Sequence, residues 1–74
     1  MYLKGGVILE IQSRFSLSAA RHNVGLSQSE MANLLGVSLP TYVSYEHGKT
    51  LMRVDTADKF SKIVKIPKRQ IIFF

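Results

Sequence analysis

Cysteine is absent from this sequence of 74 residues. That absence excludes a disulfide scaffold and a metal site built on cysteine ligands. A chain of this length predicts a single domain with a modest hydrophobic core, which is only marginally stable alone. Packing within the chain, or between two copies of it, must therefore supply the stability.

Long apolar runs are absent as well. No run approaches the roughly 20 residues that a membrane-spanning helix needs. Near the N-terminus, Val7-Ile8-Leu9 is too short for the core of a signal peptide, and Glu10 follows it directly. The sequence therefore predicts a cytoplasmic protein with no membrane partner.

Signatures of catalysis and of metal binding are also missing. The two histidines, His22 and His47, do not form an H-x-x-x-H pattern, and there is no phosphate-binding glycine loop. Serine, histidine and aspartate occur without a recognisable catalytic arrangement. We therefore expect no catalytic residues, no metal ligands and no cofactor.

Acidic residues are scarce, at 5 against 10 lysines and arginines, which gives a net charge of +5 and a pI of about 9.9. A basic balance favours a polyanionic partner, with nucleic acid first and an anionic membrane surface second. A basic surface that is simply solvated explains the composition equally well.

Residues 26–48 contain the clearest local signals, which predict two short helices joined by a tight turn. Ser27 and Glu30 have the spacing of a capping box, and Leu26 and Met31 occupy the positions of a hydrophobic staple. Gly36 can take the left-handed conformation that ends a helix.

The second helix of this pair has its own start and stop signals. Ser38 is the next N-cap candidate, with Val37 and Tyr42 as a second staple, and Pro40 lies in the first turn. Gly48 follows the helix. The short turn matches the helix-turn-helix, in which the second helix enters the DNA major groove. The alternative is an ordinary helical hairpin inside a small core.

Further short motifs that are typical of one protein family occur in order along the chain. They are Ala20-Arg21, Gly25-Leu26-Ser27-Gln28, Met31-Ala32, Leu35-Gly36-Val37-Ser38, Thr41-Tyr42, Tyr45-Glu46, Gly48-Lys49 and Ile66-Pro67-Lys68-Arg69-Gln70-Ile71-Ile72-Phe73. Together they resemble the Cro/phage-repressor (Xre-type) helix-turn-helix family over roughly four-fifths of the chain. The resemblance implies an all-α, compact five-helix domain like that of lambda repressor, in residues 15–74.

Residues 1–14 form an extension to that domain, and several interpretations of it stay open. It is a strand that pairs with another chain or covers the core, or a disordered arm that touches DNA through Lys4. Alternatively, Lys4-Gly5-Gly6 is the translation of a ribosome-binding sequence, and synthesis starts downstream at Leu9.

The first core helix is expected from Leu17 to Asn23, capped by Ser16 or Ser18. Its Arg21 resembles the family arginine that pairs with the residue here numbered Glu46. Such a partly buried pair fixes geometry more than it stabilises. The alternative is two solvated charges.

The fourth helix is expected to begin at Asp55 or Thr56, where an acidic residue suits the positive helix end. Its inner stripe is expected to be Ala57, Phe60, Ile63 and Val64, and its exposed face to carry Lys59, Lys62 and Lys65. Pro67 is expected to open the last short helix. The apolar residues 71–74 should pack partly into the core, with the rest available for a dimer interface.

Base reading is expected from the start of the recognition helix. The resemblance assigns it to Leu39, Pro40, Thr41 and Ser44, and leaves Tyr42 and Tyr45 mainly in the core. Leu39 and Pro40 can offer only apolar contact, for which a thymine methyl group is the expected partner, while Thr41 and Ser44 offer single hydrogen bonds. We infer a modest hydrogen-bonded code with more reliance on DNA shape. This departure from the family pattern also leaves room for a member that no longer binds DNA strongly.

Phosphate contacts are expected on both sides of that helix. The resemblance assigns them to Gln28, Ser38, His47, Lys49, Thr50 and Arg53. Gln28 begins the first motif helix, where side chain and helix amides can donate to a phosphate. The alternative for Gln28 is a simple exposed helix residue.

The predicted function is a sequence-specific transcriptional regulator of phage or mobile-element type, associated with the nucleoid. It would bind a double-stranded DNA operator as a homodimer. The alternative is a protein-interaction module on the same fold, such as the antitoxin of a toxin–antitoxin pair. That module would hold its protein partner through residues 71–74 or the N-terminal extension.

Overall fold

The computed structural model describes residues 14–74. The interpretations of the N-terminal extension concern residues 1–13 almost entirely, and those residues lie outside the described part. Arg14, the one described residue of the extension, is exposed and precedes the first regular element.

Four α-helices account for most of the described chain. They are α1 (Leu17–Asn23), α2 (Gln28–Leu35), α3 (Leu39–Glu46) and α4 (Val54–Val64). A short 3-10 helix (Lys68–Gln70) follows, and two short strands, β1 (Phe15–Ser16) and β2 (Ile71–Ile72), lie at the two ends. The helical fold class and the helix-turn-helix arrangement are as predicted.

The expected count of five helices is wrong, because the fifth is only a single 3-10 turn after Pro67. The chain then becomes extended, and β2 pairs in parallel with β1, with Phe15 opposite Ile71 and Ser16 opposite Ile72. Three residues are too few to propagate a helix once it is nucleated. The β-branched isoleucines that follow favour an extended backbone.

Serine side chains cap the N-termini of the first three helices. Ser16 accepts a hydrogen bond from the amide of Ala19 at 3.0 Å, so it caps α1. Ser27 accepts from the amide of Glu30 at 3.0 Å, and the Glu30 carboxylate accepts from the Ser27 amide at 2.8 Å. This reciprocal pair is the predicted capping box, and it fixes where α2 begins.

The turn between α2 and α3 comprises residues 36–38. Gly36 has φ of +74°, and its amide donates to the carbonyl of Asn33 at 3.1 Å. A residue with a Cβ atom rarely takes this conformation, so glycine here allows the chain to reverse immediately after α2.

The start of α4 differs slightly from the prediction. The helix begins at Val54, with Arg53 at the N-cap position, rather than at Asp55 or Thr56. Arg53 provides no side-chain cap, and the acidic Asp55 lies within the first turn instead. A negative charge there complements the helix dipole just as it does at the cap, so composition alone could not place the boundary.

The hydrophobic core lies among the four helices and receives β2 from the C-terminal end. Its largest fully enclosed side chains are Met31, Tyr42, Phe60 and Val64. The other buried apolar residues are Leu17, Ala20, Ala32, Leu35, Tyr45, Ala57, Ile66 and Ile71. The predicted inner stripe of α4 is therefore present, with Ile63 half-buried at its edge.

The C-terminal end divides between core and surface. Ile71 is buried, and the ring of Phe73 packs edge-on against Phe60 at 6.2 Å between centroids. Phe74, by contrast, is 88% exposed. Within residues 14–74, no helix is long and apolar enough to cross a membrane.

Candidate nucleic-acid interface

A buried ion pair joins α1 to the end of α3. The Arg21 Nε lies 2.7 Å from Glu46 Oε2, and its Nη2 donates to Oε1 at 3.3 Å. Arg21 is 6% exposed. The structure therefore contains the pair that the sequence resemblance implied, and the alternative of two solvated charges does not apply.

Two further side chains complete a polar cluster around this carboxylate. Gln28 Nε2 donates to Glu46 Oε1 at 2.9 Å, and the Tyr42 hydroxyl donates to Oε2 at 2.6 Å. Arg21 also donates through Nη1 to the carbonyl of Leu26 at 2.9 Å. The Glu46 cluster (Arg21, Gln28, Tyr42 and Glu46) thus ties α1, the start of α2 and the end of α3 together.

Sequence reasoning missed the parts that Gln28 and Tyr42 play here. For Tyr42 a signal existed, because residues four apart lie on the same face of a helix, and Glu46 is four residues after it. For Gln28 the contact depends on how α2 packs on α3, and no local spacing indicates that.

The cluster keeps its ion pair charged. Burial alone would raise the pKa of Glu46, but hydrogen bonds from Arg21, Tyr42 and Gln28 outweigh burial and lower that pKa. The bond to Glu46 raises the pKa of Arg21 despite its burial. Burial, followed by the bond to Glu46, raises the pKa of Tyr42 well above its ordinary range. At neutral pH the carboxylate is therefore ionised and fully surrounded by donors.

The phosphate contact at Gln28 stays a prediction, but the bond to Glu46 fixes where its side chain lies. Its amide nitrogen carries two hydrogens, and Glu46 accepts one of them. The second hydrogen is held near the N-terminus of α2, where amides and helix dipole favour an anion. Gln28 is half-buried, which differs from a simple exposed helix residue.

The predicted base-reading residues lie on the first two turns of α3. Leu39 is 43% exposed, Pro40 is also exposed, and Thr41 and Ser44 are half-buried. Tyr42 and Tyr45 face the core as expected, with their rings edge-to-face at 6.3 Å. The hydroxyl of Tyr42 reaches Glu46 rather than the surface.

Val43 is a neighbour of this surface that sequence reasoning did not include. It is half-buried, and it lies four residues after Leu39, so the two side chains share one face of α3. The core side of α3 is filled by the two tyrosines. Val43 therefore extends the apolar part of the α3 surface.

Ser38 and Thr41 are joined by two hydrogen bonds at the start of α3. The Ser38 Oγ accepts from the amide of Thr41 at 3.2 Å, and it lies within hydrogen-bond distance of Thr41 Oγ1, at 2.9 Å. The predicted contact of Ser38 with a phosphate stays a prediction.

The loop after α3 carries the remaining predicted phosphate contacts. His47 caps the end of α3, and His47, Lys49, Thr50 and Arg53 are all exposed. Arg53 Nε lies 3.9 Å from Asp55 Oδ1, but both side chains are at least 80% exposed. A pair this open to water is weak, so Arg53 stays available for another anion.

A helix-turn-helix family model matches residues 17–71, a range that contains all four helices. The chain belongs to the Cro/Xre-type helix-turn-helix family. It is 34% identical over 47 residues to the cryptic phage CTXphi transcriptional repressor RstR of Vibrio cholerae. That match covers 64% of this chain, while the chain spans only 42% of the length of the repressor. No solved structure matches the chain significantly.

Among residues 14–74, no group of histidine, aspartate and glutamate side chains is arranged to hold a metal ion. In this Cro/Xre-type chain, the candidate interface comprises the exposed face of α3 and the basic loop after it, and the Glu46 cluster joins α3 to α1 and α2.

Proposed function

We propose that this Cro/Xre-type chain is a DNA-binding transcriptional regulator that places α3 in the major groove of an operator. The observation that carries the proposal is the Glu46 cluster. It fixes α3 against the N-terminus of α2, so that base-reading and phosphate-binding groups are held in one geometry. Rigid placement of a recognition helix is what direct reading of base edges requires.

Base reading on this proposal comes from Leu39, Pro40, Thr41 and Ser44. Leu39, with Val43 beside it, offers apolar contact to thymine methyl groups, and the two hydroxyls offer single hydrogen bonds. None of these side chains makes the bidentate contact that discriminates purines most strongly. DNA shape and deformability should therefore supply a larger share of the specificity.

Phosphate contacts on either side of α3 supply most of the affinity. Gln28 offers its second amide hydrogen at the start of α2, while the exposed basic residues of the loop after α3 offer charge. The loop residues proposed for these contacts are Lys49, Arg53, Thr50 and His47. They fix the register of α3 without carrying sequence information.

The regulator is expected to act as a homodimer. Dimers of this motif bind two half-sites about one helical turn apart, about 34 Å. The similarity to RstR, which is a phage transcriptional repressor, supports a regulator of phage or mobile-element type. DNA as a partner would place the protein at the nucleoid.

The proposal is tested by selecting binding sites from a random duplex library with the wild type and with Leu39→Ala/Ser44→Ala. The wild type should enrich a motif with two related half-sites, and the double variant should lose it. Leu34→Ala is the matched control, because Leu34 is half-exposed but lies on α2. No enriched motif with the wild type, or an unchanged motif with the double variant, would contradict reading by α3.

Phe74 favours a second candidate function, the protein-interaction module. An aromatic side chain 88% exposed beside the half-buried Ile72 and Phe73 is a common feature of contact sites. On this alternative, a protein partner purifies with the chain from its native host, and Phe74→Ser releases it. Salt-sensitive, sequence-selective DNA binding by the isolated chain would favour the regulator instead.

A further inference from the structure

Two exposed aliphatic side chains lie at the start of α4. Leu51 is 65% exposed and Val54 is 74% exposed. Met52, which lies between them in the chain, is half-buried and packs against the core, so this segment is held to the fold. Single exposed apolar residues are common, whereas neighbouring ones form a patch that a partner can cover. Leu51 and Val54 are called the α4 patch below.

Opposite charges lie within and beside the α4 patch. Arg53 Nε is 3.9 Å from Asp55 Oδ1, and both side chains are at least 80% exposed. Asp55 Oδ1 accepts from the amide of Thr56 at 2.9 Å, while Oδ2 has no hydrogen-bond partner within residues 14–74. A pair this open to water gains little from its own chain. Both groups are therefore available to an opposite charge on another molecule.

Arg53 occupies a position where arginine does not favour the helix that it begins. The N-caps of α1, α2 and α3 are serines whose side chains accept a hydrogen bond, whereas Arg53 gives α4 no side-chain cap. A cation at this end of a helix also opposes the helix dipole. Serine would start α4 better. A contact outside the chain therefore explains this arginine better than helix formation does.

We propose that the α4 patch is where two copies of this chain meet across a two-fold axis. Such an interface joins the same surface of each copy, so the surface must complement itself. Leu51 and Val54 meet their equivalents at the centre, and Arg53 of each copy pairs with Asp55 of the other. An apolar centre with a charged rim is the usual arrangement of an interface, and the charge pairs fix its orientation.

This inference deepens the proposed function and rests on it for the part that DNA plays. The α4 patch is continuous with the loop that carries Lys49, so two copies joined there bring their phosphate-binding loops together. A guanidinium has five N–H donors. Arg53 can therefore bind the carboxylate of the other copy and a phosphate at the same time.

The proposed contact is small. Two aliphatic side chains on each copy bury far less than the roughly 800 Å² per partner of a stable complex. The free chain should therefore dimerise weakly. Two adjacent half-sites on one duplex raise the effective concentration of one copy for the other, so binding there should be cooperative.

Self-association is measured first without DNA. In NMR spectra recorded from about 10 μM to about 1 mM, the amide signals of residues 51–55 should shift with concentration. Leu51→Ser/Val54→Ser should raise the dissociation constant at least about tenfold, because apolar burial is lost. Leu34→Ser is the matched control, since Leu34 is half-exposed on α2, and it should change nothing. Thermal melting checks that all variants fold.

Exchange of the charges tests the two-fold pairing. Arg53→Asp and Asp55→Arg should each weaken self-association, because like charges then face each other. An equal mixture of the two variants should associate again, since every pair across the interface is opposite. Both variants stay net positive, because each substitution changes the charge of +5 by two. General attraction therefore cannot explain recovery, and a mixture that does not associate would contradict the pairing.

The same variants are then compared on duplexes with one and with two of the half-sites that the wild type selects. Leu51→Ser/Val54→Ser should abolish cooperativity on two half-sites and leave affinity for a single half-site nearly unchanged. Loss of affinity for the single half-site by the same factor would show a direct contact with DNA and overturn the inference.

Other outcomes separate this inference from the proposed function. If the wild type neither associates nor binds cooperatively, or if Phe74→Ser abolishes association and the patch variant does not, the α4 patch is not the interface. A motif selected by the wild type would still support the proposed function in that case. Association through the patch without any selected motif would support the interface and contradict the proposed function.

Discussion

Glu46 illustrates how much of this fold depends on single residues. Its carboxylate accepts four hydrogen bonds, from Arg21 twice and from Gln28 and Tyr42 once each. Because these bonds hold the pKa of Glu46 below its ordinary 4.5, the unfolded chain binds the proton more tightly than the folded one. The stability that Glu46 contributes is therefore fully present above about that pH and is lost as the pH falls through the lowered pKa.

Tyr42→Phe removes one of these hydrogen bonds while keeping the ring in the core. We expect the free energy of unfolding at pH 7 to fall by about 1–2 kcal/mol, because a buried acceptor loses a partner. The stability that Glu46 loses in acid should also become smaller, and that loss should be complete at a higher pH, since one group that lowers the pKa of Glu46 is gone. Urea unfolding between pH 7 and pH 3 measures both effects.

Tyr45→Phe is the matched control for that experiment. Tyr45 is also buried, and within residues 14–74 its hydroxyl makes no hydrogen bond. Its removal should therefore leave both the stability and the acid response close to the wild type. Equal effects of the two substitutions would show that the bond from Tyr42 to Glu46 contributes little.

The helices and turns were the most predictable part of this chain, because their signals act over a few residues. Ser27 and Glu30 are three positions apart, and Gly36 directly follows the helix that it ends. The pairing of Phe15 with Ile71 joins the two ends of the described chain, and no local pattern indicates it. In the site, residue types could be inferred from the family resemblance, but the bond from Gln28 to Glu46 depends on how α2 packs on α3.

At the scale of one element, the capping box of α2 provides a prediction. Ser27→Ala should lower the free energy of unfolding by about 1 kcal/mol, because the Glu30 amide loses its acceptor. In a domain of this size, that change corresponds to a fall in melting temperature of about 4–8 °C. Thermal unfolding followed by circular dichroism measures it.

Ser29→Ala, at the second residue of α2, is the control for the cap. Ser29 is exposed, so the substitution should change the melting temperature little. If the two alanine variants have the same melting temperature, the capping box is not what stabilises the start of α2.

The whole molecule carries a net charge of +5, but its basic residues lie on different elements. Lys49 and Arg53 are in the loop after α3, whereas Lys59 and Lys62 are on the exposed face of α4. On the proposed function only the first pair contacts phosphates. The distribution of charge, rather than its total, should therefore determine how salt affects binding.

Two double variants with the same loss of charge test this distinction. Lys49→Ala/Arg53→Ala should weaken binding to all duplexes and lower the slope of log affinity against log salt by about 2, or about 1 per contact. Lys59→Ala/Lys62→Ala should leave the slope near that of the wild type. Binding titrations at several salt concentrations give the slopes, and equal slopes for both variants would contradict a specific role for the loop.

Because the Glu46 carboxylate is fully occupied by hydrogen bonds within the fold, base reading and charge contacts fall to different parts of the surface. Glu46 is the one residue of α3 that is charged at neutral pH, and its charge is neutralised within the fold. The outward face of α3 is therefore electrically neutral, while the positive charges proposed to contact DNA lie in the flanking loop. Rising salt should then reduce binding to all sequences by similar factors, and the ratio of affinities between a correct and an incorrect site should stay nearly constant.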